Sequence, residues 1–266
     1  MIYLNILLFL LYNKMLKQET FITNNKNEAI IINFQNLREE RQRINNILAF
    51  ESLKNKDFKN NINIQSLKRV KIELNMTNDD IFNICKNDNN FCKLLSMIIS
   101  INSTRQCIKD EDLQIKTCNI TSSKYGIILK NLGSNDYRAL KNGNIINKKE
   151  YINNMILKND CLKSFDAKIN GIINGWIFAK VVLGNGGHQD NVFEEIYVFC
   201  EWVINIYNIN NINNEDIFIV LLDTNLTEKY NKLKNKYQYI KNLIIGNHIT
   251  IQNYFINNYN QILDNK

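Results

Sequence analysis

The first glycine of this chain is Gly126, and the chain contains no proline at all. Glycine and proline are the strongest breakers of local structure, so a first half lacking both favours helices. Leu37, Ile44, Ile47, Leu48 and Leu53 recur with charges between them from Leu37 to Lys56, as an amphipathic helix requires. Thr77 followed by Asp80 makes a helix start of the capping-box type, with Asp in place of the usual Glu. Ile81, Ile84 and Cys85, then Phe91, Leu94, Leu95 and Ile98, continue a helical period through two short helices.

The second half alternates. Strands are expected at 125–132, 162–169 and 176–183, the last two joined by an Asn-Gly-bearing turn that suits a hairpin. A helix over about 191–208 places Val192, Ile196, Phe199, Val203 and Ile206 on one face. The apolar run 217–222, ending at Asp223, reads as a buried strand. A lysine-rich helix over 226–237, a short strand at 243–245 and a closing helix over 249–263 complete the chain. Strands alternating with helices predict an α/β fold, a mixed central sheet flanked by helices with a helical N-terminal region. The expected division is 1–100 helical and 101–266 α/β, without internal repeats.

With 45% hydrophobic and 22% charged residues the chain can bury a core. The abundance of Asn, Ile and Lys follows from AT-rich coding, which strips most of the Asn richness of functional meaning. The net charge of +7 is compatible with nucleic-acid binding but equally with codon bias, and its densest run is Lys229, Lys232, Lys234 and Lys236. Six cysteines with no CxxC pair, and no histidine at zinc spacing, predict free thiols in a reducing compartment, the cytoplasm; Cys200 fits a core position. The apolar run from Ile2 to Tyr12 is too short to span a bilayer and lacks a signal peptide's charged start. A misassigned start over residues 1–14, or a packed terminal segment, is expected rather than a membrane anchor.

The stretch KSFDAKINGIINGWIFAKVVLGNGGHQDNVFEEIYVFCEW, Lys163 to Trp202, carries the chemistry. Asp166-Ala167-Lys168 and Phe178-Ala179-Lys180 lie on two consecutive strands, and four of the nine glycines fall between Gly175 and Gly187. The glycine-rich turn continues into His188, Gln189, Asp190 and Asn191. Carboxylates and lysines converging on a hairpin beside a backbone-accessible loop suit metal-assisted hydrolysis of a phosphate ester. Lys180 interrupts an apolar run, where an unpaired charge is costly, and this favours a functional role.

These pieces, with STRQCIKDED at 103–112 and VLLDTNL at 220–226, resemble the type II restriction endonucleases of the PD-(D/E)XK nuclease superfamily over roughly residues 100–260. The resemblance implies a central hairpin presenting an acid and then an acid-x-lysine triplet around one or two Mg²⁺ ions. It also implies double-stranded DNA as substrate, a homodimer, and a cognate DNA methyltransferase as genetic partner. No proline precedes a candidate Asp, and two registers compete. In one, Asp166 is the metal acid and 178–180 the triplet, with Phe where an acid is expected. In the other, 166–168 is the triplet, and Asp136 or Asp160 supplies the first acid.

The site expected from this resemblance uses Asp166 and Lys180, with Lys168 nearby and Glu111 as the missing carboxylate. Asp166 and Glu111 would be the metal ligands. Arg105, Lys109, Gly186, Gly187, His188, Gln189, Asp190 and Asn191 are candidate DNA contacts; Gln189 and Asn191 suit adenine edges. Each has a plainer reading: strand-end acid, helix cap, turn glycine or solvated surface charge. Two other functions fit the residues: a catalytically decayed nuclease-fold DNA-binding protein, and an unrelated α/β phosphate-handling enzyme using the 184–187 loop, which lacks the P-loop lysine.

Overall fold

The computed structural model describes residues 28–58, 61–105, 107–133, 136–153, 160–184, 187–207 and 215–264. They form two compact units. One is Asn33–Cys107; the other combines Ile108–Lys266 with the segment ending at Ile32.

The first unit contains α1 (Phe34–Lys54), α2 (Ile64–Glu73), α3 (Asn78–Asn87) and α4 (Asn89–Ile99). Each helix starts on a short polar side chain that accepts hydrogen bonds from first-turn amides: Asn33, Asn63, Thr77 and Asp88. The Thr77–Asp80 capping box is complete in both directions. Part of the chain's Asn richness therefore has local work as helix caps. Ala49, Leu53, Ile62, Leu67, Ile81, Cys85, Cys92, Leu95 and Ile99 are the buried residues that close this unit's core. Helix α2 went unforeseen, although Ile64, Leu67 and Val70 recur at a spacing of three.

The second unit runs α5 (Cys107–Ser122), β1 (Ile127–Asn131), β2 (Tyr137–Leu140), β3 (Ile145–Asn147), α6 (Lys148–Asn153), β4 (Cys161–Ser164), β5 (Ala167–Gly171) and β6 (Gly175–Val182). It continues through α7 (Gly187–Trp202), a π-helical turn at Val203–Tyr207, β7 (Ile217–Thr224), α8 (Thr227–Tyr237), β8 (Leu243–Gly246) and α9 (His248–Asp264). Five strands form a sheet in the order β1-β5-β6-β7-β8. Pairing is antiparallel from β1 to β6 and parallel from β6 to β8, the mixed sheet expected. The parallel pairs require crossovers, supplied by α7 and α8. A second sheet orders β3-β2-β4.

Side chains on β6 and β7 alternate between two cores. Trp176, Phe178, Val182, Phe218, Val220 and Leu222 pack with Phe193, Ile196, Phe199 and Trp202 of α7. Ile177, Ala179, Ile219 and Leu221 pack with Ile115 and Cys118 of α5 and Ile251 and Phe255 of α9. Both faces are covered, so β7 reads as an unbroken apolar run in the sequence. Gly175 is dictated by close approach rather than by chemistry, since a Cβ there would lie 2.0 Å from the Ile217 carbonyl oxygen.

One expected element is corrected. The single strand at 162–169 is two strands in different sheets, β4 and β5. Phe165 donates its amide to the Tyr137 carbonyl, whereas Asp166 donates to Ile177 in the hairpin. Phe165 sinks among Trp176, Phe199 and Phe218, and this burial drives the chain from one sheet to the other. Asp166 stands at the switch.

Candidate active site

Pairing between β5 and β6 ends at Ala167 and Ile177, beyond which the β6 edge lacks a main-chain partner from β5. Asp166 fills the gap: its Oδ2 accepts the Ala179 amide at 2.8 Å. The next residue, Lys180, directs its ammonium to Glu111 Oε1 at 3.2 Å and Asp166 Oδ2 at 3.6 Å. It also donates to the Ala179 carbonyl at 2.5 Å and lies 4.6 Å above the Phe178 ring. Glu111 comes from the first half of α5 and Asp112 beside it accepts from Asn131 Nδ2 at 3.0 Å. Strand β6, the β4–β5 junction and helix α5 thus bring two carboxylates to one ammonium.

The cluster is electrostatically tense. Burial pushes the Glu111 carboxyl up to about 7, with Asp166 and Asp110 adding repulsion that Lys180 only partly offsets. Burial likewise raises Asp166, against the opposing pull of Lys180 and the Ala179 amide. For Lys180, burial disfavours the charge, but Asp166 and Glu111 outweigh it and the ammonium is held above its ordinary value. The result is a fixed cation between two acids that are poorly stabilised as anions.

Asp166, Lys180 and Glu111 are therefore brought together, as the first register requires. Lys168 is not, and its placement beside the site is corrected. The Phe165–Asp166 switch breaks the alternation that would align Asp166 with Lys168. Lys168 instead lies 5.1 Å from the Trp176 ring and 5.6 Å from that of Tyr137. Asp136 accepts from the Gly133 amide in a local turn, and Asp160 is exposed. Phe178 is 2% exposed and stacks on Phe199 at 5.2 Å, so it serves the core.

Glu195 was not among the site residues expected from the sequence. From α7 its charge helps hold the Lys180 ammonium, and it pairs with Lys163 at 2.7 Å. With Glu194, Phe178 and Phe199 it lines a cleft. Its separation from Lys180 by fifteen residues gave no local signal.

The glycine-rich turn is only partly described: Gly186 lies outside the described residues, and so do the side chains of Arg105, His188 and Gln189. Gly184 adopts φ +94°, a conformation glycine permits, and Gly187 opens α7. Asp190 pairs with Lys229, while Lys109 and Asn191 are exposed. The dense lysine run is largely neutralised, since Lys229, Lys232 and Lys236 pair with Asp190, Glu228 and Glu201. Cys85, Cys92, Cys118, Cys161 and Cys200 are free thiols, and Cys200 is buried as expected. The apolar run 2–12 lies outside the described residues; among those described, no helix is long and apolar enough to cross a membrane.

No protein-family model, curated protein or solved structure matches this chain.

Proposed function

We propose that the chain is a Mg²⁺-dependent, sequence-specific endonuclease of the restriction type, acting on double-stranded DNA. The observation that carries this reading is one lysine ammonium paired with two partly buried carboxylates from different elements, at the opened end of a β-hairpin. Partly buried ionisable groups with titration shifted upward by burial and by one another, gathered where a sheet edge opens, support a reactive site.

The donor set fits the ion. Glu111 and Asp166 offer oxygen ligands only, and Mg²⁺ binds through one or two carboxylates while keeping several waters. Among the described residues no group of three or more His, Cys, Asp or Glu is placed to hold a metal. Burial and repulsion from neighbouring carboxylates destabilise both anions, and a divalent cation would relieve them. When bound, Mg²⁺ supplies polarisation of a phosphate and a water of lowered pKa.

The rest belongs to the chain itself. Lys180, fixed by the Ala179 carbonyl as well as by the acids, orients a water and offsets charge developing on phosphate. Glu195 supplies a further carboxylate at the cleft that the buried Phe178 cannot. The turn 184–191 leaves β6 directly, so His188, Gln189 and Asn191 are proposed readers of base edges, with Arg105 and Lys109 on phosphates. A homodimer suits scission of both strands of a palindrome, and a methyltransferase encoded nearby would protect the host.

Incubation of plasmid DNA with the protein and Mg²⁺ tests this: discrete bands support it. A second reading, a decayed nuclease-fold DNA-binding protein, is favoured by the loss of an acid at Phe178. Duplex binding without cleavage under any divalent cation would select it.

A further inference from the structure

Behind the cluster lies a buried polar chain that the proposed chemistry does not use. Gln114, one turn beyond Glu111 on α5, is completely buried. Its Nε2 donates to Asp223 Oδ2 at 2.6 Å and to the Lys180 carbonyl at 3.2 Å. Asp223 ends the apolar run of β7, opposite Val181 in the parallel register. It also accepts from the His248 amide at 3.2 Å and faces His248 Nδ1 at 2.6 Å. His248 Nε2 accepts the Ile32 amide at 2.9 Å, which leaves the ring proton on Nδ1, donated to Asp223.

The chemistry of Gln114 is specific. A primary amide is a neutral group carrying two hydrogens on one nitrogen, and here both meet acceptors. The alternative orientation would press the amide oxygen against a carboxylate and a carbonyl, so the assignment is fixed by its neighbours. Gln114 Oε1 meanwhile has no hydrogen-bond partner among the described residues. An unsatisfied buried oxygen is costly, and an apolar side chain would serve the core better. Its presence there points to a task for the amide nitrogen.

We propose that Gln114 is the positioning residue for Lys180. Held by Asp223, its amide pins the Lys180 carbonyl, and the pinned strand aims the ammonium at Glu111 and Asp166. One helix thereby grips the lysine twice, at the side chain through Glu111 and at the main chain through Gln114, three residues apart and so on one face. The catalytic consequence rests on the nuclease reading; the positioning itself does not.

The test uses the full chain with ¹⁵N-labelled lysine. A largely buried ammonium with two hydrogen-bond acceptors, the Glu111 carboxylate and the Ala179 carbonyl, and an ion pair to Asp166 gives a protected Nζ resonance, assigned by its loss in Lys180→Met. Gln114→Met and the isosteric Gln114→Glu are compared with Ser122→Ala. Ser122 is buried on the same helix, and its hydroxyl has no hydrogen-bond partner among the described residues. A Glu at 114 has at most one proton, which Asp223 takes, so the Lys180 carbonyl loses its donor even where the methionine variant fails to fold.

Both Gln114 variants are expected to shift or broaden the Lys180 resonance. They should also lower kcat at least about tenfold, as small misplacements do, while KM for DNA is unchanged. Ser122→Ala should match the wild type in both readouts. An unchanged Lys180 resonance in the folded Gln114→Glu protein overturns the proposal, as does an unchanged kcat in a protein that cuts DNA. If the wild type cuts no DNA with any divalent cation, the nuclease reading falls. The resonance then still decides whether Gln114 positions Lys180.

Discussion

Lys180 Nζ lies 3.2 Å from Glu111 Oε1 across a sequence separation of 69 residues. Two partly buried charges at that distance, with Asp166 completing the group, form a unit whose members cannot be altered singly without consequence. Removing one partner of a buried pair leaves the others uncompensated.

Lys180→Met should abolish cleavage, by about 100- to 1,000-fold if its role is electrostatic, while duplex binding persists. Lys168→Met should cut at the wild-type rate, because that side chain serves the Trp176–Tyr137 surface. Rates from a single-turnover assay on a labelled duplex decide between them. The reverse pattern would restore the register centred on 166–168.

Chelation by EDTA should stop cleavage, and Mg²⁺ should raise the melting temperature of the protein without DNA. At a concentration a hundredfold above Kd the stabilisation is about 2.7 kcal/mol. Asp166→Ala should remove this response. A wild-type melting curve indifferent to Mg²⁺ would remove the metal from the site.

The elevated Glu111 carboxyl has a defined sign in pH. Unfolded, it loses its proton near its ordinary 4.5; folded, it holds the proton to about 7. In that window the unfolded chain binds fewer protons, so metal-free stability falls as pH rises, by up to about 3 kcal/mol. Asp166, raised as well, acts in the same direction. Glu111→Gln should flatten the urea-unfolding profile through this window. Cleavage should rise through about pH 7 as Glu111 ionises to meet the metal, and activity already maximal at pH 5 would contradict the assignment.

Phe178→Glu restores an acid to the triplet on paper, yet it should destabilise the fold rather than activate it. The position is buried against Phe199, and an ionised carboxylate there would be desolvated in an aromatic cluster, beside a Lys180 ammonium already committed to Glu111 and Asp166. Phe178→Ala should lose about 3–5 kcal/mol, as large-to-small core changes do. Thermal melts of both variants check this, and a folded, more active Phe178→Glu would show the position to be a vacant ligand site.

His188→Ala and Gln189→Ala should reduce cleavage or relax sequence choice while stability changes by only about 0.5 kcal/mol. Digestion patterns on a DNA of known sequence read the effect. Both variants cutting normally at unchanged sites would leave the turn a purely structural strand-to-helix connection.

Helices were legible where period and caps coincide, as at Thr77–Asp80, because capping is settled within one turn. Strands β6 and β7 were legible from their length and apolarity. The short strands β2 and β3 were not: four and three residues carry too little periodicity to stand out. Their absence from the reading hid the partner that pulls 161–164 out of line with 167–171. That single omission misplaced Lys168, since alternation predicts a shared face only along an unbroken strand.

Local chemistry therefore determined that Asp166 and Lys180 sit on neighbouring segments of a hairpin and that the lysine interrupts a buried run. Helix starts, the hairpin turn and the two-faced apolar strands were also written in residue order, because propensity, capping and side-chain alternation act over a few residues. Only the tertiary structure decided which partners the lysine meets. Glu111 and Gln114 reach it from a helix fixed by packing against the sheet, Glu195 adds its charge from α7, and the sheet switch at Phe165 turns the Asp166 carboxylate toward Ala179. Those encounters depend on which apolar faces bury one another, a non-local choice with no repeat or spacing along the chain to announce it.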